Sequence, residues 1–436
     1  MSSVYTQYFR YTIPTVAAML ISGLYQIVDA IFVGQYLGAA GLAAINIAWP
    51  VVGFMTGVGL LVGVGTGAIT SVYKGQNDIF SARQTILTGF ILLMILAAFL
   101  SLLILISITP VLKWQSDDPE VLNQAHQYMS VVMMTSVFSL AGIALPFLIR
   151  NDDSPGVATV LMILGAILNI CFDYIFIVLF NLSLAGAAMA TAISQVAVTV
   201  CSIRYFYSSH AKLRLTWSDF SFRWSDSYQI ITIGISSLFT YIYWAVMVAL
   251  HNSQFARYGG TEVLGAYTIL GYIVTFYYLV CEGIAHGMQP LASFYYGAKS
   301  PHLVRKLLYL ALILAVTFGI LLTTVLNLYP QSIISLFNDE DYQLAQHAVH
   351  GIRMHLFALC LDGILVVTIV FYQSVNQGRK AMLFSLGNLF IQIPFLFLLP
   401  LFLNINGVWL AFPLSNIVLT VIIFGILVKD LIYSFR

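Results

Sequence analysis

Charge is scarce in this chain. Of 436 residues, 18 are Lys or Arg and 17 are Asp or Glu, together 8%, against 60% hydrophobic. Soluble globular domains carry roughly 25% charged residues, so a water-soluble fold is excluded. Long polar stretches are lacking too: no loop could fold as a separate soluble domain, which leaves no place for catalysis outside a membrane. The four cysteines, Cys171, Cys201, Cys281 and Cys360, are scattered through apolar segments. They show neither metal-ligand spacing nor a disulfide framework and read as packing residues. The polar–apolar alternation of transmembrane strands is absent, which removes a β-barrel. The series Gly57, Gly59, Gly63, Gly65 and Gly67 superficially resembles a nucleotide loop, but it follows no strand and contains no P-loop lysine. Small residues at that spacing let membrane helices pack closely.

What the chain has instead is apolar segments of about 20 residues or more, recurring from end to end, each long enough to cross a bilayer as a helix. We count about twelve, starting near Phe9, Ile45, Gln84, Val121, Pro155, Leu184, Asp226, Glu262, Leu303, Ala345, Ala381 and Val408. The fold class is therefore all-α, a polytopic membrane protein. Lys and Arg segregate: one set of loops carries Lys74, Arg83, Arg150, Lys212, Arg214, Arg223, Lys299, Arg305, Arg379 and Lys380, the opposite set only Lys113 and Arg257. Arg353 falls in or near a helix. The acidic clusters Asp117, Asp118, Glu120 and Asp339, Glu340, Asp341 lie on the poor side. By the positive-inside rule both termini are expected in the cytoplasm. Met1 to Thr12 is too short and polar for a cleavable signal, so the first helix is expected to stay in the mature protein.

The chain is duplicated. YLGAAGLAAI from Tyr36 matches YGGTEVLGAYTI from Tyr258 at an offset of 222, and Gly65, Tyr73, Gly75 and Arg83 then meet Gly287, Tyr295, Gly297 and Arg305. Near the end of each half the offset is 221, where LAGAAMATAISQ from Leu184 faces INGVWLAFPLSN from Ile405. Six helices per half make the repeats parallel, with a pseudo-two-fold axis along the membrane normal, as in transporters built of two rocking bundles. The expected organisation is an N-lobe at 1–210, a cytoplasmic linker at 211–225 and a C-lobe at 226–436.

Four acids stand inside these spans: Asp29, Asp173, Glu282 and Asp362. A carboxylate at the bilayer centre costs on the order of 2.5–3.5 kcal/mol on insertion scales, so such groups face the interior or water and are paired or protonated. Asn169 and Asp173 are four apart on one helical face, as are Tyr25 and Asp29, and helix 6 offers Thr191 and Ser194 as hydroxyl partners. Two close carboxylates cannot both ionise cheaply, so one could hold a proton. The same oxygens could instead ligate Na⁺. The competing reading is a satisfied interior hydrogen-bond network. Glu282 and Asp362 have no acid at their repeat-related positions, and Asp29 faces His251. His286, one turn beyond Glu282, could pair with it and form a C-lobe site. His347 and His355 read as residues near a membrane surface. Pro14 precedes Asp29 by about four turns, and a bend there could couple protonation to helix shape. Pro146, Pro394 and Pro400 are further candidate kinks. Trp49, Trp244, Tyr272 and Phe276 are candidates to line a cleft for flat cations.

IPTVAAMLISGLYQIVDAIFVGQYLG, GAILNICFDYIFI, LAGAAMATAISQ and, in the second half, GMQPLASFYYGAKS resemble the multidrug and toxic compound extrusion family over nearly the whole chain. That resemblance implies two six-helix lobes and export of amphipathic, usually cationic compounds against a H⁺ or Na⁺ gradient. The match is nearest the DinF-like prokaryotic branch, and it implies a cation site at Asp29, Asn169, Asp173 and Thr191, with Tyr25 and the Ala187 carbonyl. The helix 7 glutamate of the NorM-like branch has no counterpart between Asp226 and Glu262, although Asp362 falls near that branch's helix 10 aspartate. A monomeric antiporter of a prokaryotic cytoplasmic (inner) membrane is expected, moving small amphipathic cations, with no cofactor beyond the coupling ion and no nucleic-acid partner. The rival within the superfamily is a flippase for a lipid-linked precursor, which favours a strongly cationic cavity. The duplication argues against a receptor, and no metal or nucleophile motif supports an enzyme.

Overall fold

Residues 4–115, 118–216, 222–335 and 342–433 are described by a computed structural model. Asp117, Asp339, Glu340 and Asp341 of the acidic clusters, and positions 217–221 of the linker, lie outside the described residues. Ten helices are long and apolar enough to span a membrane: α1 (Val4–Gly38), α2 (Ala40–Gly75), α3 (Ile79–Gln115), α5 (Pro155–Leu179), α6 (Ser183–Tyr207), α7 (Trp224–Gly260), α8 (Val263–Gly297), α9 (Pro301–Leu328), α11 (Gly378–Leu403) and α12 (Ile405–Ile432). Two more spans are bent pairs, α4 (Pro119–Met134 with Ser136–Asn151, 62°) and α10 (Tyr342–His355 with Leu359–Ser374, 55°), which brings the total to twelve among the described residues.

Local chemistry sets the ends. Pro119, Pro155 and Pro301 occupy first-turn positions, where a missing N–H costs nothing. Asp118 caps the first segment of α4, accepting from the Glu120 N–H at 2.9 Å and the Val121 N–H at 3.4 Å. The bends of α4 and α10 fall at Thr135 and at 356–358, without proline. At Thr135 the hydroxyl back-bonds to the Val131 carbonyl (2.8 Å), a device that bends helices. Pro146, Pro394 and Pro400 sit instead within continuous helix.

The duplication is written in the backbone. Gly38 (φ 66°) and Gly260 (φ 74°) adopt the left-handed conformation where α1 meets α2 and α7 meets α8, a geometry that glycine takes without a Cβ penalty. Asn77 and Lys299, then Ser183 and Asn404, repeat positive φ at spacings of 222 and 221, the offsets read from the sequence. Two hydrophobic cores result. One gathers α7–α12 together with Tyr8 and Tyr11 of α1. The other gathers α2–α6 with Val33 of α1 and Ile230 and Ile233 of α7. Ala211, Leu213 and Leu215 of the linker are buried on the N-lobe core.

The lobes close on each other at the Lys/Arg-rich end. A Cβ at Gly75 would collide with the Phe294 carbonyl, and one at Gly297 with the Val72 carbonyl, contacts related by the pseudo-two-fold. Gly283 and Gly287 of α8 lie against α1, their added Cβ atoms 2.6 Å from the Cα atoms of Val16 and Thr12. Asn151 and Gln289 exchange amide hydrogen bonds across the seam, both 3.1 Å, and Ser71 donates to Asn151 at 2.7 Å. A third small core bridges the lobes at mid-depth through Met19, Leu60, Val64 and Phe147, with Tyr241 and Leu279 packed on it. Beyond that level Val33, Ala44 and Ala48 belong to the N-lobe core and Met247, Phe255 and Ala266 to the C-lobe core. On that side the two lobes keep separate cores.

The turn after α4 anchors that end. Asp153 is paired with Lys74 (2.9 Å) and Lys212 (3.1 Å) and accepts from the Tyr11 hydroxyl (2.8 Å). Burial alone would raise its carboxyl, yet the two lysines and the tyrosine carry it below the ordinary carboxylate range.

Candidate functional site

Asp173 ends the α-helical part of α5 and is followed by a π-helical turn, Tyr174–Leu179, of the kind often found at functional positions. It is fully buried, and neither carboxylate oxygen has a hydrogen-bond partner among the described residues. Asn169, one turn earlier, is also buried; its Nδ2 donates to Thr191 Oγ1 of α6 at 3.2 Å while Oδ1 is unpaired. Asp29 of α1 is partly buried with Oδ1 enclosed and unpaired. The charges of Asp29 and Asp173 act on each other, so helices 1 and 5 bring the two acids together. Tyr25 lies within the field of both carboxylates. Ala187 is buried on α6, one turn before Thr191. Ser194 does not join this group: its hydroxyl donates to the Thr191 carbonyl of its own helix at 2.7 Å.

Four buried acceptor oxygens on three side chains of α1 and α5 thus have no donor among the described residues. A buried polar atom left unpaired costs about 1–3 kcal/mol, and more when charged. Such a set is chemically suited to a hard monovalent cation with oxygen ligands, or to protons on the carboxylates. No cluster of three or more His, Cys, Asp or Glu side chains that could hold a metal ion occurs among the described residues. Sequence reasoning missed Tyr128 of α4, which is buried and feels Asp29, Tyr25 and Asp173. Nothing in its neighbourhood, HQYMS, marks it, because only the folding of α4 against α1 and α6 brings it there.

The C-lobe residues separate. Asp362, buried near the start of the second segment of α10, accepts from Asn416 Nδ2 of α12 at 2.6 Å. Tyr243, Tyr277 and Tyr278 stand within electrostatic reach of it. Glu282 of α8 is partly buried at the lobe junction, where Tyr241 of α7 feels both it and Tyr25. The expected Glu282–His286 pair does not form. His286 turns instead to the N-lobe and packs edge-on against Phe147, 5.0 Å between ring centroids. A side chain one turn away on the same face need not pair when helix packing offers it another surface.

His355 is enclosed by the protein. It is buried, with Nδ1 2.9 Å from the Trp409 carbonyl, and forms an aromatic cluster with His251, Tyr267, Trp409 and Phe412. His251, opposite Asp29 in the repeat, contacts the Met247 carbonyl through Nδ1 at 2.9 Å. Phe412 occupies the position matching Thr191. Rings therefore fill in the C-lobe the place that polar oxygens fill in the N-lobe. Phe276 packs beside Phe318 of α9, and Trp244 meets Tyr278 edge-on at 4.4 Å. Around Pro14 the backbone stays helical, and its carbonyl accepts from Thr159 of α5 at 2.8 Å. Arg150, expected in a loop, lies in the last turn of α4 and is buried.

The MatE family model matches residues 14–175 and 234–398. The chain is 23% identical over 435 residues to the multidrug export protein MepA of Staphylococcus haemolyticus, covering 100% of this chain and 94% of that one. With MepA of Staphylococcus aureus it shares 25% over 415 residues, covering 93% and 90%. Its fold superimposes on a multidrug resistance MATE family transporter of the MOP superfamily in an outward-facing conformation, with a TM-score of 0.94 at 20% identity, covering 100% and 97%. A MOP superfamily transporter from Pyrococcus furiosus, described by a binding pocket of reverse polarity, gives 0.92 at 21%, covering 99% and 97%. At these identities the two structures establish the fold.

Proposed function

The chain belongs to the MatE family, and from that premise we propose that it is a secondary active multidrug exporter, expelling amphipathic cations in exchange for H⁺ or Na⁺. The observation that carries this reading is the group of four unpaired oxygens of Asp29, Asn169 and Asp173. A monovalent cation entering from the open end of the cleft binds there, with Thr191, Tyr25, Tyr128 and the Ala187 carbonyl completing the pocket. Loading relieves the repulsion of the two carboxylates and changes how α1 packs, with Pro14 as the place where it bends. Ion and drug shift the lobes only through their different affinities for the two conformations. Rocking of the lobes then exposes the cleft alternately to either side.

The multidrug export named for the Staphylococcus relatives supports the substrate assignment. So does the polarity of the interior: Glu282 is partly buried beside Tyr241 where the lobes meet, whereas the buried cations Lys74 and Arg150 sit at the closed end. Arg353, the basic residue that a flippase cavity would use, is exposed. With the basic loops in the cytoplasm, the cleft faces outward, in the cytoplasmic membrane of a prokaryote, and one chain suffices as the unit.

The test is uptake of a fluorescent cationic dye into everted vesicles, under a pH gradient and a Na⁺ gradient imposed separately. Wild type accumulates dye under at least one of them, and Asp29→Asn loses that response. Dye movement indifferent to both gradients in wild type refutes antiport, and an unaffected Asp29→Asn refutes the site.

A further inference from the structure

A second buried charge lies far from the cation pocket, in the last turn of α4. Arg150 is 1% exposed, and its Nε, Nη1 and Nη2 all lack a hydrogen-bond partner among the described residues. Its guanidinium carbon sits 4.7 Å from the centroid of the Phe147 ring. That ring also meets His286 of α8 edge-on at 5.0 Å. His286 is buried in turn, its Nδ1 is unpaired, and the charge of Arg150 acts on it. Arg150 and His286, from opposite lobes, therefore both pack against one ring, beside the Asn151–Gln289 amide pair that closes the seam.

A cation–π contact does not balance this arrangement, because burying an ion calls for a counter-charge or hydrogen bonds. The adjacent carboxylates are committed elsewhere. Asp152 accepts from the Tyr205 hydroxyl (2.7 Å) and from the N–H groups of Lys212 and Leu213 (2.9 and 2.7 Å). Asp153 is held by Lys74, Lys212 and Tyr11. Lys74, Lys212 and Arg150 thus face two acids, and one positive charge is left over. The C-lobe carries no charge at the matching position: Gln373, 223 residues after Arg150 as the helix end Ser374 is after Asn151, donates to Ser236 and Ser237 (2.7 and 2.9 Å).

We propose that Arg150 and His286 bind a small monovalent inorganic anion, chloride in ordinary salt, between the lobes at their closed end. The guanidinium supplies charge and N–H donors, and the His286 tautomer with hydrogen on Nδ1 supplies another donor. The anion cancels the surplus charge of this end. Because its ligands come from helices of different lobes, it binds the closed arrangement and leaves when the seam opens, so its concentration biases the closed state by mass action. This site is independent of the export reading and of the Asp29–Asp173 pocket.

The experiment is thermal unfolding of the full chain in detergent, titrated with potassium chloride against potassium gluconate at equal K⁺ and pH. The expected result is a saturable rise in Tm of roughly 2–4 °C in chloride that gluconate does not produce. Arg150→Met abolishes the difference between the two salts, and His286→Leu shifts the chloride midpoint upward by roughly tenfold, the loss of one donor. If Arg150→Met does not fold, His286→Leu carries the comparison. Identical wild-type curves in the two salts overturn the proposal and leave water as the partner of Arg150. A chloride effect that persists unchanged in the variants overturns it equally.

Discussion

Replacing Asp173 with Asn keeps the shape of a fully buried side chain and removes one of the two carboxylates of the proposed cation pocket. Both Asp173 oxygens are unpaired, so the proposed ion is their partner. Removing one member of a buried charge pair costs about 3–5 kcal/mol. At 1.4 kcal/mol per tenfold, affinity for the coupling ion falls by roughly 10²- to 4 × 10³-fold. Without the ion the sign reverses, because the substitution also abolishes the repulsion between Asp29 and Asp173. Purified Asp173→Asn should therefore be at least as heat-stable as wild type in Na⁺-free buffer at neutral pH. It should show no further stabilisation when the coupling ion is added, where wild type gains RT ln(1 + [ion]/Kd). The assay is Tm measured across Na⁺ concentration and, separately, across pH, alongside gradient-driven dye uptake in everted vesicles. A variant that keeps the wild-type ion-dependent rise in Tm, or whose gradient-driven transport stays within about threefold, refutes the pocket as the coupling site.

Two further outcomes follow from the closed end. The pairing of Asp153 with Lys74 and Lys212 depresses its carboxyl, so this contribution to stability is present above the unfolded value of about 3.9 and is lost as pH falls through the lower folded value. Lys74→Met should lower stability by about 1–3 kcal/mol at pH 7, and the gap from wild type should narrow below pH 4 in thermal unfolding. At the seam, Gly297→Ala places a Cβ against the Val72 carbonyl, where backbone rather than a flexible side chain must move. It should cost about 1–3 kcal/mol and increase the labelling rate of a cysteine placed at Ile230, which is fully buried in wild type.

Much of the architecture was legible because membranes restrict the menu of folds. With no water to satisfy the backbone, apolar segments of this length become helices, and the two offsets in the duplicated sequence reappear as paired left-handed residues at the helix ends. Asp29, Asn169, Asp173 and Thr191 could be nominated from residue type and helical spacing, since an acid in an apolar span demands a partner. Spacing along one helix could not say which partner. His286 shared a face with Glu282, yet the packing of α8 on α4 turned it to Phe147. Likewise nothing in the neighbourhood of His355 announced the aromatic cluster that it joins at the bend of α10.

The amino-acid sequence alone determined that this chain is a duplicated twelve-helix membrane protein with two acids inside the spans of its first half, because period, apolar length and charge placement act locally. Tertiary structure decided which oxygens converge with no donor, which end of the lobes is shut and where Arg150 is trapped. Those outcomes depend on contacts between helices that are far apart in the chain, and side-chain partnership is settled only when their faces meet.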